Sequence, residues 1–148
     1  MTDTVRVERL LSQHVRQKEV ADVCSLLSQL KGERVEIPLS RIRRVADENW
    51  LTVARTKANS SIVGMAMLIV TNRFSATVAR VEEVVVDENH RGMGVARAIM
   101  ESLIACAKEL DVQRLELTSN ASRAPAHALY RSLGFEVRDT TVFRLELK

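Results

Sequence analysis

Val84-Val85-Val86-Asp87-Glu88-Asn89-His90-Arg91-Gly92-Met93-Gly94-Val95-Ala96 is the stretch on which the fold turns. Three consecutive valines suit a strand covered on both faces. The polar run from Asp87 to Gly94 ends it. Val95, Ile99, Leu103, Cys106/Ala107 and Leu110 then recur at helical spacing and predict a long helix. A strand that passes through a glycine turn into a helix is an anion cradle. Glycines let the backbone approach a ligand closely, and the first helical amides have no partner inside the helix. The helix dipole adds about half a positive charge, and Arg91 adds a full one. A diphosphate is the natural guest.

Two familiar phosphate loops do not fit. No GxxxxGK[ST] string is present. Gly92-Met93-Gly94 starts a dinucleotide fingerprint, but the position that needs a small residue holds Arg97, too large for close helix–strand packing.

Upstream, Val5, Val7 and Leu10 mark an extended start. Val20, Val23, Cys24, Leu27 and Leu30 predict a helix from about Gln13 to Leu30, closed by Gly32. Pro38-Leu39-Ser40 reads as a second helix entry with Ser40 as cap; Ile42, Val45 and Ala46 share one face, and Arg41, Arg43 and Arg44 take the rest. Trp50 to Arg55, Ser61 to Thr71 and Thr77 to Asp87 read as strands. Downstream come a strand from Arg114 to Ser119, a helix opened by Arg123-Ala124-Pro125, and closing strands Phe135 to Val137 and Thr141 to Leu147. The expected fold class is α/β (α+β): one domain over residues 1–148, with a mixed, mostly antiparallel central sheet flanked by helices.

Composition narrows the function. The 148 residues are 46% hydrophobic and 28% charged, globular values that exclude a disordered chain. The strongest apolar run, Ile62 to Val70, is broken by Gly64 and falls short of the ~20 residues a membrane helix needs. MTDTVRVERL mixes charged with apolar residues, unlike a signal peptide. Cys24 and Cys106, far apart in apolar stretches, read as core thiols of a reduced, cytoplasmic protein. No CxxC or HExxH suggests a metal. Net charge is +3, which suits a phosphorylated ligand, whereas five aromatics are too few for a nucleic-acid stacking platform.

Arg91, Gly94 and Ala96 form R-x-x-G-x-A. Together with Val84-Val85-Val86-Asp87 before it and Ala126-His127-Ala128-Leu129-Tyr130-Arg131-Ser132-Leu133-Gly134-Phe135 after it, this pattern resembles the GCN5-related N-acetyltransferase (GNAT) family. The resemblance implies that acetyl-CoA lies in a gap where the valine strand splays from the next one. It implies that backbone groups of Val84, Val85 and Val86 hold the acetyl carbonyl and pantetheine arm. Amides of Arg91, Gly92, Met93, Gly94, Val95 and Ala96 would hold the pyrophosphate, with Asn120 and Arg123 on the cofactor's far side. Tyr130 matches the tyrosine that many members place beside the thioester sulfur.

The chemistry is consistent with that layout. A primary amine with pKa ~10 arrives protonated at neutral pH and must lose a proton before it attacks a thioester. Glu82 and Glu83 lie on the strand that opens the gap, and neighbouring strand residues face opposite sides, so one can face the site. By motif position Glu82 matches the glutamate of sugar-phosphate acetyltransferases, which makes it the expected base or water-holder. Tyr130 can protonate the departing thiolate. Without the motif, Tyr130 reads as a packed helix residue, His127 as helix surface, and Glu82 and Glu83 as solvated strand charges.

For the acceptor, the resemblance extends to the aminoalkylphosphonate and glucosamine-phosphate branches. Both imply a small, anionic amine that the three early arginines can meet. Transfer to a protein lysine or N-terminus is the competing activity, and a non-catalytic acetyl-CoA sensor the competing role. Neither a nucleic-acid nor a membrane partner is expected. A homodimer can form through an exposed edge of the Val142 to Leu147 strand.

Overall fold

Period-two strands and period-3.6 helices alternate along the chain, and the pleat sorts their apolar residues onto two faces of one sheet. The computed structural model describes residues 5–148; residues 1–4, the beginning of the charge-broken N-terminal stretch, lie outside the described residues. Two compact units form, one up to Leu117 and one from Thr118 to Lys148.

The first unit runs β1 (Val5–Arg9), α1 (Gln17–Lys31), α2 (Leu39–Glu48), β2 (Trp50–Thr56), β3 (Ile62–Asn72), β4 (Thr77–Val86), α3 (Val95–Glu109) and β5 (Arg114–Glu116). The strands lie in the order β1-β2-β3-β4-β5. The first three pairings are antiparallel and the last is parallel. This is the expected mixed, mostly antiparallel sheet.

Alternation along β3 assigns the faces. Met65 joins Leu26, Leu27, Ile42, Ala46 and Val53 in the core beneath α1 and α2. Gly64 looks the other way, toward α3. A Cβ there would sit 2.8 Å from Ile99 Cδ1 and 3.0 Å from Val95 Cγ1, so only glycine lets α3 lie this close. Ile99, Met100 and Leu103 of α3 are fully buried, each worth roughly 1.5–3 kcal/mol.

Helix ends follow local chemistry. Gly32 adopts φ 73° and closes α1 as expected. The start of α1 falls later than its apolar period suggests, because Ser12–His14 forms a 3₁₀ turn; the Arg16 N–H then donates to the Glu19 carboxylate at 2.9 Å. Ser40 does not cap α2. Pro38, extended at φ −70°, precedes the first turn, and its carbonyl accepts from the Arg41 and Ile42 amides. Proline cannot continue a helix backward, so Ser40 falls inside the first turn.

One buried charge network fastens α1 to the sheet. Arg55 contacts Glu19 at 3.1 Å and Glu8 at 2.8 Å, and donates to the Ser60 carbonyl at 2.9 Å. Glu19 is 7% exposed and Arg55 8%. Burial pushes the Glu19 carboxyl up. The Arg16 amide and the Arg55 guanidinium more than offset this, and leave it below the usual carboxylate range.

The second unit holds α4 (Ala124–Ser132), with Pro125 in its first turn as expected. The two closing strands are corrected by the structure: residues 135–137 and 141–147 form no strand. Val142, Phe143, Leu145 and Leu147 are 72–91% exposed. Apolar alternation sets which side chains share a face, but a strand also needs a neighbour's hydrogen bonds, and no local signal supplies that partner. Cys24 and Cys106 are both free. Among the described residues no helix is long and apolar enough to cross a membrane.

Candidate active site

Two departures from regular pairing in β4 build the site. On one side, β5 pairs only with Val78, Ala79 and Arg80. From Val81 to Val86 the edge of β4 facing β5 carries no ladder. On the other side, Met65 pairs with Val85 but Met67 pairs with Glu82, so Glu83 and Val84 together oppose Ala66. This is a β-bulge. Glu83 carries its strain at φ 54°, a left-handed conformation that costs an L-residue roughly 1–2 kcal/mol. Glycine is the usual occupant of such a position.

Glu83 lines a pocket of about 210 Å³ between the sheet and α1/α2. Val23 and Leu27 of α1, Ile42 and Val45 of α2, Leu51, Met65, Met67 and Ile37 make the rest of the wall apolar, apart from Arg41. Neither Arg41 nor Glu83 makes a side-chain hydrogen bond or ion pair among the described residues. Glu82 behaves differently: it takes the Arg80 guanidinium at 3.1 Å and is absent from the lining.

β4 runs into the glycine turn. Gly92 and Gly94 adopt φ 76° and 80°, conformations open to glycine. The first bond of α3 is Ala98 N–H to Gly94 O at 3.0 Å, so the amides of Val95 and Ala96 precede the helical ladder and face outward. Arg91 folds back, its Nε donating to the Val86 carbonyl at 3.1 Å. Asp87 anchors the turn: its carboxylate accepts from Gln29 Nε2 at 2.8 Å, from the Asn89 amide at 3.1 Å, and faces His90 Nδ1 at 2.9 Å. Gln29 Oε1 in turn accepts the Glu88 amide at 2.9 Å. One α1 side chain thereby clamps the turn through both ends of its amide.

The Gln29 amide, with His90 and the Asn89 N–H, holds the Asp87 carboxyl below its ordinary 3.8 against the cost of burial. A depressed folded pKa stabilises the protein above the unfolded value and loses that contribution as pH falls through the folded one. Acid titration monitored by thermal melting therefore loses stability below pH 3.8, and Asp87→Asn loses less over the same window. An identical pH dependence in the variant would remove Asp87 as the anchor.

In the second unit, Asn120 Oδ1 accepts from the amide and hydroxyl of Ser122, both at 3.0 Å, shaping the turn into α4. Arg123 precedes the helix. The Tyr130 ring meets Phe135 edge-on at 5.9 Å. Burial pushes the Tyr130 hydroxyl up, tempered by the Arg123 charge, so it stays protonated at neutral pH. His127 is not plain helix surface: it is half-buried, and its Nε2 is enclosed with no hydrogen-bond partner among the described residues.

The profile of the acetyltransferase (GNAT) family matches residues 20–135. The chain belongs to that family. It is an acyltransferase with a GNAT fold. It is 30% identical to glucosamine 6-phosphate N-acetyltransferase of Trypanosoma brucei brucei, over 99% of this chain and 100% of that one. It is 31% identical to an L-amino acid N-acetyltransferase of Escherichia coli K12 over 66% of this chain, a match that spans 60% of that relative's length. In three dimensions it superposes at TM-score 0.84 and 17% identity on an aminoglycoside acetyltransferase from a soil metagenomic sample, covering 99% of this chain and 98% of that one.

Within this GNAT chain, Val84, Val85 and Val86 lie at the unpaired edge of β4, and Arg91, Gly92, Met93, Gly94, Val95 and Ala96 form the turn and helix start, all in the first unit. Asn120, Arg123 and Tyr130 lie in the second. The three early arginines separate. Arg43 donates to the Val15 carbonyl at 2.9 Å and Arg44 pairs with Glu48 at 2.9 Å, which leaves Arg41 at the pocket. Sequence reasoning did not find the Gln29 clamp or the bulge that brings Glu83 to the wall. A polar residue on a half-buried helix has many uses, and a glutamate gives no sign of left-handed backbone.

Proposed function

We propose that this chain is one acetyltransferase domain that moves the acetyl group of acetyl-CoA to a primary amine of a small molecule by direct attack in a ternary complex. The observation that carries the reading is β4 itself: an unpaired edge from Val81 to Val86, bulged at Glu83, that runs straight into a glycine turn and a helix N-terminus. An extended, amide-bearing arm suits such an edge as an added strand. A pyrophosphate suits the outward amides of Val95 and Ala96 with Arg91 beside them. The coenzyme supplies an activated acyl carbon, and the chain's own residues do the rest. Among Val84 to Val86, the amides that face the open edge offer donors where negative charge develops on the acyl oxygen. Glu83, rather than Glu82, takes the amine proton, because Glu83 reaches the pocket with its carboxylate unengaged while Glu82 is held by Arg80. Tyr130 keeps its proton and donates it to the departing sulfur. Asn120 and Arg123 hold the coenzyme's far end.

Following thiol release from acetyl-CoA tests the reading. Tyr130→Phe is expected to lower turnover by on the order of 10²-fold, at the low end for a general acid because a thiolate leaves readily. Coenzyme affinity by calorimetry should hardly change. An unaltered rate would remove Tyr130 from the reaction.

A further inference from the structure

We infer that the acceptor is a free α-amino acid with an apolar side chain, its carboxylate on Arg41 and its amino group beside Glu83. The inference rests on the acetyltransferase reading above and adds the substrate class. The wall of the pocket carries two charged side chains, one of each sign; they do not pair with each other or with any other side chain among the described residues. Two opposite charges held apart in an otherwise apolar cup match a zwitterion with an apolar body. A carboxylate carries one charge and meets a guanidinium fork in two parallel hydrogen bonds. A phosphate carries about −1.5 to −2 at neutral pH and would find one cation here. A hexosamine would also press several hydroxyls against Met65, Met67 and Leu51, where each buried hydroxyl without a partner is penalised. Arg43 and Arg44, the other cations of α2, are already engaged.

Size agrees. An apolar cavity of about 150 Å³ accepts benzene, so 210 Å³ accepts a side chain the size of leucine, methionine or phenylalanine. Met65 and Met67 are unbranched and polarisable, and adapt to any of the three. In the reaction the amino nitrogen uses its lone pair to form a bond to the acyl carbon. The carbon–sulfur bond breaks and its electron pair leaves on sulfur. The amine proton passes to Glu83, and the thiolate gains a proton from Tyr130. The products are the N-acetyl amino acid and the coenzyme thiol.

The experiment measures thiol release from acetyl-CoA with L-leucine, L-methionine and L-phenylalanine, with isopentylamine and phenethylamine as the same bodies without carboxylate, and with glucosamine 6-phosphate. We expect kcat/KM for the amino acids to exceed that for the matching amines by about tenfold or more, the scale of one lost charge-assisted hydrogen-bonded pair. Arg41→Gln, at an exposed helix position, should bring the leucine-to-isopentylamine ratio close to one. Higher kcat/KM for glucosamine 6-phosphate, or equal values for leucine and isopentylamine, would overturn the substrate class and leave the acetyltransferase reading standing. So would acetyl-CoA binding by calorimetry without turnover of any amino acid. Failure to bind acetyl-CoA would overturn both.

Discussion

Glu83→Gln is expected to turn over about 10²-fold more slowly than the parent at pH 7, with acetyl-CoA affinity unchanged, the loss typical of a missing general base. Glutamine has the shape of glutamate and tolerates φ 54° no better and no worse, so the substitution isolates the carboxylate. The defect should shrink as pH rises toward the amine's own pKa, because more acceptor then arrives already neutral. Glu82→Gln supplies the contrast. Its carboxylate is committed to Arg80, and its rate should stay within a few-fold of the parent. The assignment fails if the two variants exchange these phenotypes. Glu83→Gly adds a structural control: it removes the carboxylate and also a left-handed conformation that costs roughly 1–2 kcal/mol, offset by glycine's own entropy of about 0.5–1 kcal/mol. The glycine variant should be as slow as the glutamine variant while melting at the same temperature as the parent or higher.

Arg55→Met should cost about 3–5 kcal/mol, because it strands Glu19 in a site 7% exposed with one strong partner gone. Against a typical total of 5–15 kcal/mol this is a large share, and melting temperature should drop by on the order of 10 °C. The paired variant Arg55→Met with Glu19→Met should regain most of the loss, since two apolar side chains leave no charge to solvate. Urea unfolding of the parent, Arg55→Met, Glu19→Met and the paired variant gives the coupling energy directly. A single-variant loss under about 1 kcal/mol would mean that Glu19 keeps its hydration, and would remove the network as the fastening of α1.

Much of the first unit is legible because its signals are local. Gly32, the polar break from Asp87 to Gly94, and the apolar stripe of α3 each announce an element within a few residues. The glycine turn at the start of α3 is legible for the same reason, since strand, turn and helix start are contiguous in sequence. What is hidden depends on partners distant in sequence. The bulge that exchanges Glu82 for Glu83 is set by the register of β3 on β4. Separating Arg41 from Arg43 and Arg44 requires knowing that the Val15 carbonyl lies beside α2. The segments after Gly134 alternate like strands but join no sheet among the described residues, because alternation describes a surface and not its neighbour.

Gln29 lies six residues along α1 from Val23 and two from Leu27, both of which wall the pocket. One helix thus borders the pocket with Val23 and Leu27 and, through the Gln29 amide, grips the turn that follows β4. If the pocket and the turn hold the two substrates as proposed, any coupling that α1 carries between them is reciprocal, and each substrate changes its companion's affinity by the same factor.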